Sequence, residues 1–205
     1  MNYKVFSFTA FMLIIYIVIA VLTVYCTQPV KIGLVDKVVL IPVVPSSPAP
    51  TPSTPIKPWN VHFSPHGGCT HTVIDFIGTA TSMIRVQAYG FTSQSIADAL
   101  VAAAKSGKDV EVVLDRSDKT AASSKAVYVS ENGVKVFIDS KHAIAHSKVM
   151  IVDHSSVETG SFNYTDNAEN NNAENCLIIN DAELTSAYGS NWELHKSHSI
   201  VFTTP

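Results

Sequence analysis

Residues 59–205 are predicted to form an α/β domain, in which helices pack on a mostly parallel or mixed β-sheet. Short runs of alternating apolar and β-branched residues, typical of strands, recur along this segment. Stretches with helical character separate most of these runs, and such alternation is the pattern of α/β proteins. We expect strands over residues 83–88, 110–114, 134–138, 146–152 and 176–179.

Helices are expected over residues 70–81, 93–105, 120–131 and 181–196. Ser93 suits the N-cap of the second helix, and Gly107 lies just beyond its end. Asn132 and Gly133 are expected to end the third helix. A domain of this length can bury a substantial core.

The charge of this domain is negative, with 10 Lys and Arg residues against 16 Asp and Glu residues. That balance argues against a protein that coats nucleic acid through bulk positive charge. Residues 116–148 carry a local net charge of +3. This strip is either a guide for a polyanion or an ordinary solvated surface.

The N-terminal segment, residues 1–28, is predicted to be a signal-anchor or a signal peptide. Residues 5–26 contain no charged side chain and follow Lys4, and about 20 apolar residues suffice to cross a bilayer as a helix. A retained anchor is favoured, because the run is long for a cleavable signal and Tyr25-Cys26 is a poor cleavage site. In either case the rest of the chain is expected outside the cytoplasm, as a periplasmic domain tethered to the inner membrane or secreted after cleavage.

Residues 29–58 are predicted to link this segment to the domain. Seven prolines fall within residues 42–58. Proline restricts φ and lacks an N–H donor, so this stretch suits a semi-stiff extended spacer rather than a helix or strand.

No residue set in the sequence predicts a metal site. The three cysteines, Cys26, Cys69 and Cys176, have no zinc-type spacing, and the last two are either a disulfide pair or buried thiols. His62, His66 and His71 are irregularly spaced and are interrupted by proline and glycine. We therefore expect no metal and no cofactor.

The most informative feature is one run of spaced residues, His146-x-Lys148-x4-Asp153-x6-Gly160-Ser161-x-Asn163. On an extended strand His146 and Lys148 point to the same face. Ser161 and Asn163 share a face in the same way after a short turn. An imidazole, an ammonium, a hydroxyl and an amide around one point suit a phosphodiester, whose oxygens need hydrogen bonds and positive charge.

This run matches the signature of the phospholipase D superfamily at every position. Further segments resemble the small bacterial endonucleases of that superfamily, and the plasmid-encoded periplasmic type most: residues 63–69 (FSPHGGC), 84–93 (IRVQAYGFTS), 112–115 (VVLD) and 171–175 (NNAEN). The resemblance covers nearly all of residues 59–180. It implies an α/β/α sandwich on a mixed β-sheet, a covalent phosphohistidine intermediate and catalysis without a divalent metal.

The resemblance also implies roles for individual residues. His146 would be the nucleophile in one copy of the motif and the general acid in the other. Lys148 and Asn163 would bind the scissile phosphate, with Ser161 nearby. Glu174 matches the acidic position that orients the histidine, although a surface glutamate in a polar loop is the alternative. Asp153 would belong to the motif more as a structural charge partner than as a proton carrier.

The motif occurs once, whereas the implied double displacement needs two histidines. Of the eight histidines only His146 is followed by lysine two positions later. Two-fold association would place two identical half-sites face to face. We therefore predict a homodimer with one composite active site.

The function expected from these features is a metal-independent endonuclease that cuts DNA with little sequence preference, with RNA left open as a further substrate. A phospholipase or cardiolipin-type phosphodiesterase is the first alternative. A catalytically silent, membrane-tethered binding module is the second, although the intact motif argues against it.

Overall fold

The computed structural model describes residues 58–203. The predictions for the anchor and for the proline-rich spacer lie outside these residues. Between residues 58 and 203, no helix combines the length and the apolar character that crossing a bilayer requires.

The sheet formed by residues 58–203 contains eight strands in the order β1-β7-β6-β5-β2-β3-β4-β8. Strands β2, β3 and β4 are parallel, and all other neighbours are antiparallel, so the sheet is mixed. The strands are β1 (Trp59–Ser64), β2 (Met83–Ala88), β3 (Asp109–Asp115), β4 (Lys135–Asp139), β5 (Val149–Val152), β6 (Ser156–Gly160), β7 (Glu174–Ile179) and β8 (Ile200–Val201).

Helices cover both faces of the sheet, which confirms the predicted α/β/α sandwich. They are α1 (Cys69–Gly78), α2 (Gln94–Lys105), α3 (Ala126–Glu131), α4 (Asp166–Asn170) and α5 (Ala182–His198), with a short 3-10 helix at Arg116–Lys119. The larger core joins α1, α2 and α3 to one face through residues such as Phe76, Leu100 and Val129. The smaller core joins Trp192 of α5 to the other face.

Two predicted boundaries are wrong for identifiable reasons. The strand predicted over residues 146–152 starts at Val149, where pairing with Thr159 begins, and residues 146–148 are not assigned to it. The helix predicted over residues 120–131 starts at Ala126. The Lys125 amide donates to the Phe91 carbonyl oxygen at 2.9 Å, and the Ala126 amide donates to the Ser124 hydroxyl oxygen, so the chain before Ala126 makes contacts other than helical ones.

Cys69 and Cys176 are free, buried thiols in this fold. The Cys176 sulfur lies 4.0 Å from the Cys69 carbonyl oxygen. Burial raises the pKa of both thiols, so the neutral form is favoured at this position.

Candidate active site

Apart from Asp153, the motif residues lie at the end of the sheet where the parallel strands β2, β3 and β4 end. Strand β5 runs antiparallel to β2, and Gln87 near the end of β2 is paired with Val149 at the start of β5. The segment that enters β5 therefore passes beside the residues that leave β2. This topology brings Tyr89 against His146, with their ring centroids 4.6 Å apart.

His146 and Lys148 lie on the same side of the chain, as the spacing predicts. The Lys148 Nζ lies 3.0 Å from the His146 Nδ1, and it also donates a hydrogen bond of 2.6 Å to the His146 carbonyl oxygen. The Nζ sits 5.1 Å from the Tyr89 ring centroid. Tyr89 is half-buried and contacts both groups of the motif.

The two side chains differ sharply in exposure. His146 is exposed, whereas only 5% of Lys148 is accessible to solvent. Burial lowers the pKa of Lys148, and the nearby Glu174 carboxylate opposes this shift. An ammonium held in partly desolvated surroundings attracts a phosphate oxygen more strongly than one in open water.

The loop before His146 is fixed to the ends of neighbouring strands. Asp115, at the end of β3, accepts a buried hydrogen bond of 2.7 Å from the Ala145 amide. Arg116 donates a hydrogen bond of 2.9 Å to the Ala143 carbonyl oxygen. These contacts position His146 from behind, and the sequence pattern did not identify Asp115 or Arg116 as positioning residues.

Gly160 ends strand β6, and Ser161 and Asn163 follow it. A side-chain carbon at Gly160 would lie 2.1 Å from the Asn175 carbonyl oxygen, so only glycine fits there. Asn175 in turn donates to the Ser161 hydroxyl oxygen from its backbone N–H, at 3.1 Å. The Asn163 Oδ1 is buried and lacks a hydrogen-bond partner among residues 58–203. Asn163 is thus a polar side chain whose oxygen is desolvated and unpaired.

Glu174 opens strand β7 and is near enough to Lys148 to influence its pKa. Its carboxylate accepts a hydrogen bond of 3.0 Å from the Asn172 side chain. The polar contact of the His146 Nδ1 is with the Lys148 Nζ. The role of Glu174 in orienting a histidine stays a prediction.

Asp153 lies at the far end of β5 from Lys148. Its two carboxylate oxygens accept five hydrogen bonds from the three residues that lead into β2, Thr81, Ser82 and Met83. Burial alone would raise the pKa of Asp153, but the backbone N–H donors hold it well below its usual range. Asp153 therefore fastens β5 to the start of β2, as a structural role would require.

A buried carboxyl in β6, the strand that ends at Gly160, was not predicted from the sequence. Glu158 of β6 is fully buried, and the Tyr164 hydroxyl donates a hydrogen bond of 2.7 Å to it. Burial raises the pKa of Glu158 to about 8. A glutamate in a strand resembles a solvent-facing residue in sequence, and nothing local distinguishes this one.

An exposed imidazole with a buried ammonium beside it, on an α/β/α sandwich, is an arrangement that suits phosphodiester chemistry. The family profile described as "Cardiolipin synthase, PLD-like domain" matches residues 73–194. The chain belongs to the phospholipase D superfamily and is a phosphodiesterase of that group.

Individual relatives agree with this assignment. A protein named "Phospholipase D" from Rickettsia bellii is 38% identical over 159 residues, which span 73% of this chain and 79% of the relative. A mitochondrial cardiolipin hydrolase from Xenopus laevis is 31% identical over 121 residues, 59% of this chain and 57% of that protein. The crystal structure of Nuc from Salmonella typhimurium, a phospholipase D family member, has a TM-score of 0.68 and 38% identity, covering 71% of this chain and 98% of Nuc.

Proposed function

We propose that this protein is a metal-independent endonuclease that hydrolyses DNA phosphodiester bonds through a covalent intermediate on His146. The observation that carries the proposal is the exposed His146 ring, held 3.0 Å from the ammonium of buried Lys148. An exposed nucleophile is accessible to a phosphate within a long polymer. The ammonium beside it supplies the charge that a metal ion supplies in other phosphodiesterases.

Hydrolysis would proceed in two steps. The Nε2 of one His146 attacks phosphorus, and the bond from phosphorus to the leaving oxygen breaks as a second histidine gives that oxygen a proton. Water then attacks phosphorus, loses its proton to the second histidine and releases the first. Lys148 and Asn163 are assigned to the phosphate oxygens, with Ser161 beside them.

The contact between Lys148 and His146 affects which nitrogen of the His146 ring is free to attack phosphorus. A charged Lys148 donates, so the His146 Nδ1 accepts and the ring proton is on Nε2. Attack requires the other tautomer, with Nε2 free. A phosphate that draws the Lys148 ammonium away would leave Nδ1 to carry the proton and to donate it to a carboxylate such as Glu174. Substrate binding and nucleophile activation are thereby coupled.

The second histidine is assigned to another copy of the chain. Only His146 carries the motif, and its exposed ring is available to a partner. A homodimer with its two-fold axis at this edge of the sheet would pair two His146 rings around one phosphate.

We favour DNA over lipid as the substrate because of two similarities to other proteins. The sequence resembles small bacterial endonucleases over nearly all of residues 59–180, and the chain is similar to Nuc over 98% of the length of Nuc. Without a base-reading element, phosphate contacts specify no sequence, so cleavage is assigned as non-specific. RNA carries the same phosphodiester group and is the second substrate to test.

The proposed location is outside the cytoplasm, with residues 5–26 as an inner-membrane anchor and the proline-rich segment as a spacer. Release after signal cleavage is the alternative. The lipid phosphodiesterase is the competing function, and the names of the Rickettsia and Xenopus relatives favour it.

One panel of substrates tests these alternatives. The purified chain is incubated in EDTA with supercoiled plasmid, single-stranded DNA, RNA and cardiolipin-containing vesicles. We expect plasmid nicking that survives EDTA. Turnover of lipid alone would show that the protein is a phospholipase and not a nuclease. No turnover of any substrate would indicate a catalytically silent binding module.

A further inference from the structure

A second cluster of side chains that could bind a ligand lies near the ends of β4 and α5. It consists of Asp139, His142, His195 and His198, and is called the histidine cluster below. One ligand atom from each residue lies within 4.8 Å of those of the other three. Asp139 is fully buried, and His142 is the most exposed of the three imidazoles.

All three imidazoles converge on one carboxylate oxygen, the Asp139 Oδ2. The distances are 2.9 Å from the His142 Nδ1, 2.8 Å from the His195 Nδ1 and 3.2 Å from the His198 Nε2. The other oxygen, Oδ1, accepts a hydrogen bond of 3.0 Å from the Lys141 amide. This second contact fixes the carboxylate so that Oδ2 faces the rings.

Hydrogen bonding explains this arrangement poorly. Three ring nitrogens meet one oxygen, which offers about two lone pairs. The His198 Nδ1 is buried and has no hydrogen-bond partner among residues 58–203, so the nitrogen facing the cluster is the one through which this ring makes its polar contact.

The spacing of the four atoms suits a small divalent cation. A tetrahedral zinc ion with ligands at about 2.0–2.1 Å has ligand atoms about 3.3 Å apart. The observed separations, from 2.8 Å for the His195 contact up to the 4.8 Å limit, bracket this value. Small rotations of the three rings would open the centre for an ion.

The chemical types of the four donor groups also indicate which kind of ion the cluster would bind. Three neutral imidazoles and one carboxylate suit zinc and similar first-row transition metals, whereas magnesium and calcium prefer oxygen ligands. We propose that the histidine cluster is a binding site for a transition-metal ion of the zinc type, separate from the phosphodiesterase site.

The position of the cluster suggests what the ion would do. His142 lies in the loop that leads from β4 to His146, and His195 and His198 lie in the last turns of α5. An ion there would tie that loop to the C-terminal helix, in addition to the Asp115 and Arg116 contacts. It would act as a structural clamp behind His146 and take no part in bond cleavage.

Direct metal binding tests the site without reference to catalysis. The full-length chain, purified with a histidine-free tag, is stripped with chelator, transferred to chelator-free buffer and titrated with Co²⁺ and then Zn²⁺. We expect one ion per chain, with the intense visible absorption of tetrahedral Co²⁺ and its loss when Zn²⁺ competes. His142→Ala and His198→Ala should each weaken Zn²⁺ affinity by at least about 100-fold, because ligand loss exceeds the effect of an outer contact.

Two matched variants complete the design. His71→Ala removes an exposed histidine from α1, and His146→Ala removes the proposed nucleophile; both should bind Zn²⁺ as the wild type does. Hydrogen exchange of the wild-type chain, with and without Zn²⁺, gives a readout that needs no variant, and protection should rise in residues 140–145 and 195–198. The proposal is overturned if the wild type binds no ion, or if folded His142→Ala and His198→Ala chains bind as tightly as the wild type.

Discussion

Replacing His146 by alanine is expected to lower phosphodiester cleavage by at least about 10⁴-fold, the scale of losing a covalent nucleophile. The ring is exposed, so its removal should leave the fold intact. Initial rates of plasmid nicking in EDTA, compared at matched circular dichroism spectra, measure the effect. His71→Ala, which removes another exposed histidine, serves as the control and should keep wild-type rates.

Mixing the His146→Ala chain with the wild type tests the composite site. In an equal, randomly re-associated mixture, about one quarter of dimers contain two intact histidines if two chains form each site. Activity per total chain should then fall to about a quarter of the wild-type value. A value of about one half would mean that each chain acts alone, which contradicts the shared site.

Replacing Asp153 by asparagine is expected to lower the free energy of unfolding by about 2–3 kcal/mol, a value reduced because the carboxylate is partly exposed. The carboxylate accepts five hydrogen bonds from Thr81, Ser82 and Met83. An amide keeps one acceptor oxygen and turns an N–H₂ group toward donors. For a domain of this size the change corresponds to a fall in Tm of roughly 5–12 °C.

The pH dependence of this loss has a definite sign. Because the pKa of Asp153 is lower in the folded chain than in the unfolded one, its contribution is present above the unfolded pKa of about 3.9. It disappears as the pH falls through the folded value. The Tm of Asp153→Asn should therefore lie below that of the wild type at pH 7, and the two Tm values should converge in acid. Asp75→Asn, on the exposed face of α1, is the control, and equal stability of wild type and Asp153→Asn at pH 7 would refute this account.

The local part of the site was predictable from the sequence. Alternation places His146 and Lys148 on one side of an extended chain, and this holds although the paired strand begins only at Val149. The Gly160-Ser161 step was also predictable as a motif. Its physical reason, the closeness of the Asn175 backbone, depends on the pairing of β6 with β7.

Features that depend on distant parts of the chain were not predictable. Asp139 and His142 meet His195 and His198 only because the end of β4 lies beside the end of α5. Strand β1 likewise pairs with β7, far along the chain. Its sequence, WNVHFS, alternates apolar and polar residues as strands do, so the strand itself was predictable, whereas its partner was not. Buried Glu158 belongs to the same class, since its tyrosine partner comes from the turn after β6.

In the proposed mechanism, phosphodiester cleavage proceeds through a phosphorus–nitrogen bond at His146. Rapid quenching of the chain with a short DNA substrate in EDTA, followed by peptide mass spectrometry under alkaline conditions, detects such a bond. We expect a nucleotide adduct on His146, at most one per dimer, that forms and decays at the rate of turnover. Cleavage in EDTA with no adduct at any time, or with an adduct on another residue, would contradict it.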